Sequence, residues 1–255
     1  MPDPHPTGYR EISPPAVLAP WVECLWWHAD DCAQDAAAPS ILPDGRIDVV
    51  WSEQTGGRIA GPQTRPLAAP VHGRFLVLGA RFHPGAGASA LGVPAEELAD
   101  VHTPLDALDA RLARQLDERL PLAGEPSPDP ARALAALGDL LAARRDALPA
   151  PDPLVRTAVT ALGAGPVRVA ELARHAWISE RQLQRRFHAH VGYGPRTLHR
   201  VLRLQRALRG LERAPGEDLA RHAAEAGYAD QAHFTREARS LADATPAQLR
   251  ARLAA

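Results

Sequence analysis

The sequence predicts an α+β chain of two domains. The first is a small N-terminal β-barrel or sheet with helices, over residues 1–150. The second, over 154–255, is all-α: two helix-turn-helix units joined by a long helix. Three observations carry this reading. Aromatic and β-branched runs are confined to the first third of the chain. A stretch in the last third repeats at a shift of 51 residues. Net charge changes sign between the two parts: residues 1–150 hold 12 Arg against 20 acids, −8, and residues 151–255 hold 17 Arg against 10 acids, +7. The two sum to the overall −1.

At 255 residues and 45% hydrophobic content, the chain can build real cores. It has no run of about 18 apolar residues, so no membrane span is expected. The N-terminus lacks the basic start and apolar stretch of a signal peptide. Two cysteines, Cys24 and Cys32, make no disulfide framework, which places the chain in a reducing cytoplasm. All 29 basic residues are Arg, and the chain has neither Lys nor Asn, a mark of codon usage in a GC-rich genome. A basic excess confined to one segment points to a polyanionic partner, with nucleic acid favoured over mere solubility.

In chain order, residues 1–20 are proline-rich loop. Residues 21–29, 46–52 and 74–82 read as strands. Pro43-Asp44-Gly45-Arg46 is a turn signal, with Pro preset for its second position and Gly permissive of positive φ. After His83-Pro84-Gly85 the pattern becomes helical. Pro94 to Leu98 opens with proline and acids, and Leu105, Leu108, Leu112, Leu116 and Leu120 form an amphipathic stripe. Pro121 to Pro130 interrupts, Ala131 to Leu148 is a further helix, and three prolines in residues 149–153 mark the domain boundary.

The C-terminal domain is organised around residues 178–187. Ser179 is an N-cap, Gln182 completes a capping box, and Ile178 with Leu183 form a staple. Leu183, Phe187 and Val191 share one face, and Arg181, Gln184, Arg185 and His188 the other. Shifted by 51, Leu183 falls on Phe234, Arg185 on Arg236, Pro195 on Pro246, and Ser179 on Asp230, one capping residue on another. Each repeat is helix, tight turn, helix. Between them residues 196–211 read as one helix whose Arg200, Arg203, Arg206 and Arg209 recur every three residues with few acids to pair them. Those arginines are either a solvated face, or contacts to phosphates or to the acidic N-terminal domain.

Residues 154–255 resemble the DNA-binding domain of AraC/XylS-type transcription regulators. The matching pieces are Leu172-Ala173, Ser179-x-x-x-Leu183-Gln184-Arg185-x-Phe187, Gly192-x-x-Pro195, Arg203-x-x-x-Ala207, Ala223-x-x-x-Gly227-Tyr228, Asp230-Gln231-x-His233-Phe234-x-Arg236 and Thr245-Pro246. The resemblance implies seven helices. Recognition helices near residues 179–189 and 230–241 would enter successive major grooves about 34 Å apart. The base-reading positions it implies are Arg181, Gln184 and Arg185, then Gln231, Ala232, Thr235 and Arg236. Ser179, His188, His233, Arg239 and Arg196 fall at or near the backbone-contacting positions. Arginine to guanine and glutamine to adenine are the expected pairings.

The pattern has departures. Trp177 stands where the family keeps glycine in the first turn, and His222 occupies an aliphatic position. Ala238 replaces a phenylalanine and Asp243 a glycine, so the second unit is expected to be the looser one.

In the N-terminal part, Pro43-Asp44-Gly45, Asp48, Gly61-Pro62 and Phe82-x-Pro84-Gly85 resemble the sensor half of a subset of these regulators. That resemblance implies a small-molecule effector or homodimerisation, with RNA polymerase as a further partner if the protein activates. Trp21, Trp26, Trp27 and Trp51, with Arg81, are the pocket candidates, core packing being the other role open to the tryptophans. Cys24, His28 and Cys32, spaced by four, suggest a metal- or redox-responsive alternative. On a strand, though, such positions lie about 13 Å apart. An alkyl-transferase reading lacks its cysteines. A cupin-type enzyme fused to the DNA-binding domain lacks clustered histidines, since His28, His72, His83 and His102 are scattered. A non-enzymatic, cofactor-free regulator is the expectation.

Overall fold

The computed structural model describes residues 7–31, 40–68, 73–120 and 129–254. Its N-terminal half contains strands β1 (Gly8–Ile12), β2 (Val22–Asp31), β3 (Ser40–Ile41), β4 (Asp48–Ser52), β5 (Gly56–Ala60), β6 (Leu67–Ala68), β7 (Arg74–Phe82) and β8 (His102–Pro104). Six of them form one sheet in the order β1-β2-β7-β4-β5-β8, and β3 pairs with β6 in a separate ribbon. Every pairing in the large sheet is antiparallel. β1 and β8 remain edges, so of the barrel and the sheet that the sequence allows, the structure forms the open sheet.

Alternation along the strands gives the sheet two different faces. Leu25, Leu78, Ala80, Val49, Trp51 and Ile59 point to one side, in a core shared with helices α2 (Asp106–Arg119) and α3 (Pro130–Ala142). The opposite face holds Phe75, Val77, Trp26 and Val50. Both faces of β4 are covered, which explains its nearly uninterrupted apolar run.

Some helical expectations shorten. Pro94 to Leu98 forms only a 3-10 turn at Ala95–Glu97, because Asp100 reverses the chain at φ 59 and accepts bonds from the Thr64 amide and hydroxyl, both 2.7 Å. α3 stops at Ala142, a 3-10 turn follows at Arg145–Ala147, and Arg144 between them pairs with Asp109. The break expected at Pro121 to Pro130 lies mostly outside the described residues. α1 (Gly87–Leu91) is a short helix that the sequence reading did not single out.

Seven helices run from Pro153 to Ala254: α4 (Pro153–Ala164), α5 (Val169–His175), α6 (Glu180–Val191), α7 (Pro195–Arg213), α8 (Leu219–Ala226), α9 (Gln231–Ala242) and α10 (Pro246–Ala254). They enclose a second core, in which Phe187, Leu198, Leu204 and Phe234 are fully buried. The N-terminal half touches this core through Leu42 and the 43–45 turn. Gln205 also donates to the Pro43 carbonyl at 2.7 Å.

Candidate nucleic-acid interface and an N-terminal cavity

The first unit is α5, a turn, and α6. Ser179 caps α6 as its sequence demands: its hydroxyl accepts the Gln182 amide (3.2 Å), and the Gln182 side chain accepts the Ser179 amide (2.9 Å). Leu183, Phe187 and Val191 are buried beneath, which turns Arg181, Gln184 and Arg185 outward, all exposed. Gln184 packs over the Gly194 backbone and bonds His188 at 3.0 Å. His188 faces the N-terminal domain, its Nδ1 3.6 Å from Glu96. Arg186 pairs with Asp152, the N-cap of α4. In the turn, Trp177 adopts φ 55 and is 94% exposed. The position thus keeps glycine's left-handed backbone without glycine.

The second unit repeats the design. Asp230 caps α9 by accepting the His233 amide at 2.6 Å. Gln231, Ala232, Thr235 and Arg236 line one open depression on the surface. Arg239 and Arg196 are exposed. His233 lies edge-on to Tyr228, ring centroids 5.2 Å apart. Ala238 is fully buried, and one turn earlier on α9 Phe234 stacks with Tyr228, ring centroids 4.8 Å apart. Asp243 ends α9 at φ 46. His222 is buried, its ring bonded to the Ala214 carbonyl at 3.0 Å.

Three arginines of the α7 row are engaged by groups of the helical half itself rather than by the N-terminal domain, although the Arg200 side chain stays 40% exposed. Arg200 and Arg203 bond the buried Glu237 of α9, with Nε to carboxylate distances of 3.0 and 2.9 Å. The Arg203 guanidinium also lies 4.8 Å over the Tyr228 ring. Arg206 donates to the carbonyls of Gly163 (2.9 Å) and Ala226 (3.3 Å), at the C-terminal ends of α4 and α8. Sequence reasoning missed Glu237, whose signal is an acid on the inward side of α9 between Phe234 and Ala238.

A cavity of about 220 Å³ opens on the second face of the sheet. Trp26 and Arg81 line it. Trp27 and Trp51 do not, since odd and even residues of β2 and β4 point oppositely. Trp51 instead donates to Asp117 of α2 at 2.9 Å. Gly79 opposite Trp26 leaves the indole room, because a Cβ there would lie 2.3 Å from the ring. The indole donates to Asp48 at 2.9 Å, and Arg81 sits 3.3 Å from Asp48 and 2.9 Å from Glu11. Burial raises the Asp48 pKa to about 6 in spite of Arg81. Asp48, Arg58 and His102 were not among the pocket candidates. Their register (Asp48 opposite Ala60, Val50 opposite Arg58, Ala60 opposite His102) could place them on one face only once the strand order was known.

Cys24 and His28 lie on β2, with Cys24 buried and its thiol pushed up to about 12 by desolvation, which disfavours the thiolate a metal needs. Cys32 lies outside the described residues. Among the described residues, Glu217, His222 and Glu225 come together at metal-ligand spacing, but both acids already pair with Arg221. No described helix is long and apolar enough to cross a membrane.

Residues 10–104 match DUF6597, a domain of unknown function, and residues 172–252 match a helix-turn-helix domain family. No curated protein matches the chain. Among solved structures, a transcriptional regulator with an AraC-type DNA-binding domain from Chromobacterium violaceum is 28% identical, covering 40% of this chain and 93% of its own, with a TM-score of 0.37. A probable AraC family regulator from Rhodopseudomonas palustris is 24% identical over 40% of this chain and 98% of its own, TM-score 0.36. ToxT from Vibrio cholerae is 8% identical over 91% of this chain and 99% of its own, TM-score 0.48. The C-terminal part of this chain is an AraC-type helix-turn-helix domain, and its N-terminal part belongs to DUF6597.

Proposed function

We propose that the protein is a sequence-specific DNA-binding transcription regulator in which α6 and α9 enter successive major grooves and the N-terminal domain responds to a small-molecule effector. The observation that carries the DNA half is the pair of capped helices, each presenting exposed arginine and glutamine on the side away from its core. Arg181, Gln184 and Arg185 read bases in the first half-site, and Gln231, Thr235 and Arg236 in the second, with Ala232 offering a methyl contact. Ser179, His233, Arg239 and Arg196 are assigned to backbone or flanking contacts, and His188, turned to Glu96 of the N-terminal domain, is assigned none. No catalytic step is assigned to the chain.

Selection from random DNA, followed by titration of the selected site, tests this. Arg185→Ala and Arg236→Ala should each cost about 1–3 kcal/mol and relax preference at one base pair. Uniform weakening on every sequence would make the residue a phosphate contact, and no selected site would overturn the reading.

A further inference from the structure

The cavity on the second face of the N-terminal sheet holds more unpartnered polar chemistry than any other place among the described residues. Asp48 Oδ1, Arg58 Nε, Arg81 Nε and His102 Nε2 are all buried without a hydrogen-bond partner, and all four residues line this one space. A buried polar group left unsatisfied is costly, so four around one cavity imply a ligand or water that completes them.

The charges decide which ligand. Arg81 is neutralised by Asp48 (3.3 Å) and Glu11 (2.9 Å), with Asp44 at 3.9 Å. Arg58 has no carboxylate within 4.0 Å among the described residues; its Nη2 donates only to the His102 carbonyl, at 2.9 Å. One guanidinium charge on the cavity wall is therefore uncompensated, and a half-buried guanidinium is matched best by a carboxylate. Across the cavity, Asp48 Oδ1 accepts no bond, because Trp26 and Arg81 engage the other oxygen. It asks for a donor. Asp48 and His102 stand two strands apart on either side of Ala60, about 10 Å at the backbone. Val50 stands beside Asp48 on β4 and opposite Arg58, and the Trp26 indole and Val77 close the space on the β2 and β7 side, so the lining between its polar groups is apolar.

We propose that this cavity binds a small single-ring carboxylic acid, its carboxylate on Arg58 and His102, its ring against Trp26 and Val50, and a hydroxyl or amino group donating to Asp48. This deepens the effector reading above and rests on it only for consequences at DNA.

Calorimetric titration of the full chain with 4-hydroxybenzoate and 4-aminobenzoate, against 4-hydroxybenzamide and 4-hydroxybenzylamine, is the test. The acids should bind, and the neutral amide and the amine should bind at least tenfold more weakly. Arg58→Gln should weaken acid binding at least tenfold, Arg58→Lys should restore part of it, and Val50→Phe, which fills the cavity, should abolish it with the circular dichroism unchanged. Absence of binding by both acids, equal binding of the amide, or unaltered affinity in Arg58→Gln would overturn the proposal. DNA affinity measured with and without 4-hydroxybenzoate separates the two claims: acid binding without any change at DNA retains the cavity assignment and defeats the effector reading.

Discussion

Glu237 is the acid that ties α9 to the connecting helix α7. It is buried on α9 and accepts from Arg200 and Arg203 of α7, so the three side chains join the connecting helix to the helix proposed to read the second half-site. Glu237→Ala deletes the shared acceptor and leaves Arg203, itself well shielded, with an unpaired guanidinium. Truncating one partner of a buried pair costs about 3–5 kcal/mol. The Arg200 side chain is 40% exposed and can turn to water, which puts the expectation near the lower end, about 3 kcal/mol. Since about 1.4 kcal/mol is a factor of ten, native-state amide exchange of the full chain should show α9 losing roughly two decades of protection. The loss should not extend to the sheet, whose core shares no residue with this one. A loss of less than one decade would mean that the network is screened by solvent and that packing alone seats α9.

Trp177→Gly should stabilise the chain by about 1 kcal/mol, because the indole is 94% exposed and its φ of 55 is strained for any side chain, whereas glycine adopts it freely. A melting point raised by about 2–4 °C checks this, and a lowered one would show that Trp177 packs in solution. At Asp152, burial alone would raise the pKa, but the Val155 and Leu154 amides and Arg186 outweigh it and hold the carboxyl below its usual value. Its contribution is therefore complete above the unfolded value near pH 4 and lost as pH falls through the folded one. Asp152→Ala should cost about 1–2 kcal/mol at pH 7 and flatten the acid limb of the stability curve, and an unchanged limb would refute that assignment. Gly192→Ala should cost about 1–2 kcal/mol in urea unfolding, since φ is 93 and the new Cβ would meet the Pro62 ring at 2.6 Å; a neutral substitution would mean that the two domains part there in solution.

What was legible in the sequence was whatever depended on neighbours along the chain. The caps at Ser179 and Asp230 act over three residues, and the buried stripe of Leu183, Phe187 and Val191 follows helical period alone. Contacts between elements were not legible. The α7 arginines look unpaired in sequence because their acid is 37 and 34 positions away. Residue type alone marks the N-terminal tryptophans and Arg81 as pocket candidates, and strand parity sends Trp27 and Trp51 to the helix-covered face. Arg58 and His102 carry no motif, and they converge only because β5 pairs with β8.

The turn and glycine motifs of the N-terminal half acquire a physical meaning in the same way. A Cβ at Gly45 would lie 2.7 Å from Leu198, and one at Gly85 2.8 Å from Val155, while Pro62 fits against Gly192. Each motif is thus a place where the sheet domain comes close to α4, to the end of α6 or to the start of α7. Two of them are continuous with the cavity. The 43–46 turn leads into β4, which carries Asp48 and Val50, and β5, which carries Arg58, leads out through Gly61 to Pro62. A ligand that changed the spacing of β4 and β5 would act on Leu198 and Gly192 through a few residues of packed chain, with no flexible linker between. Such contiguity is the physical requirement for a ligand in the sheet to bias the seating of α6. It makes the Pro62–Gly192 and Gly45–Leu198 contacts, more than the proline-rich 149–153 segment, the place where coupling between the two domains is to be sought.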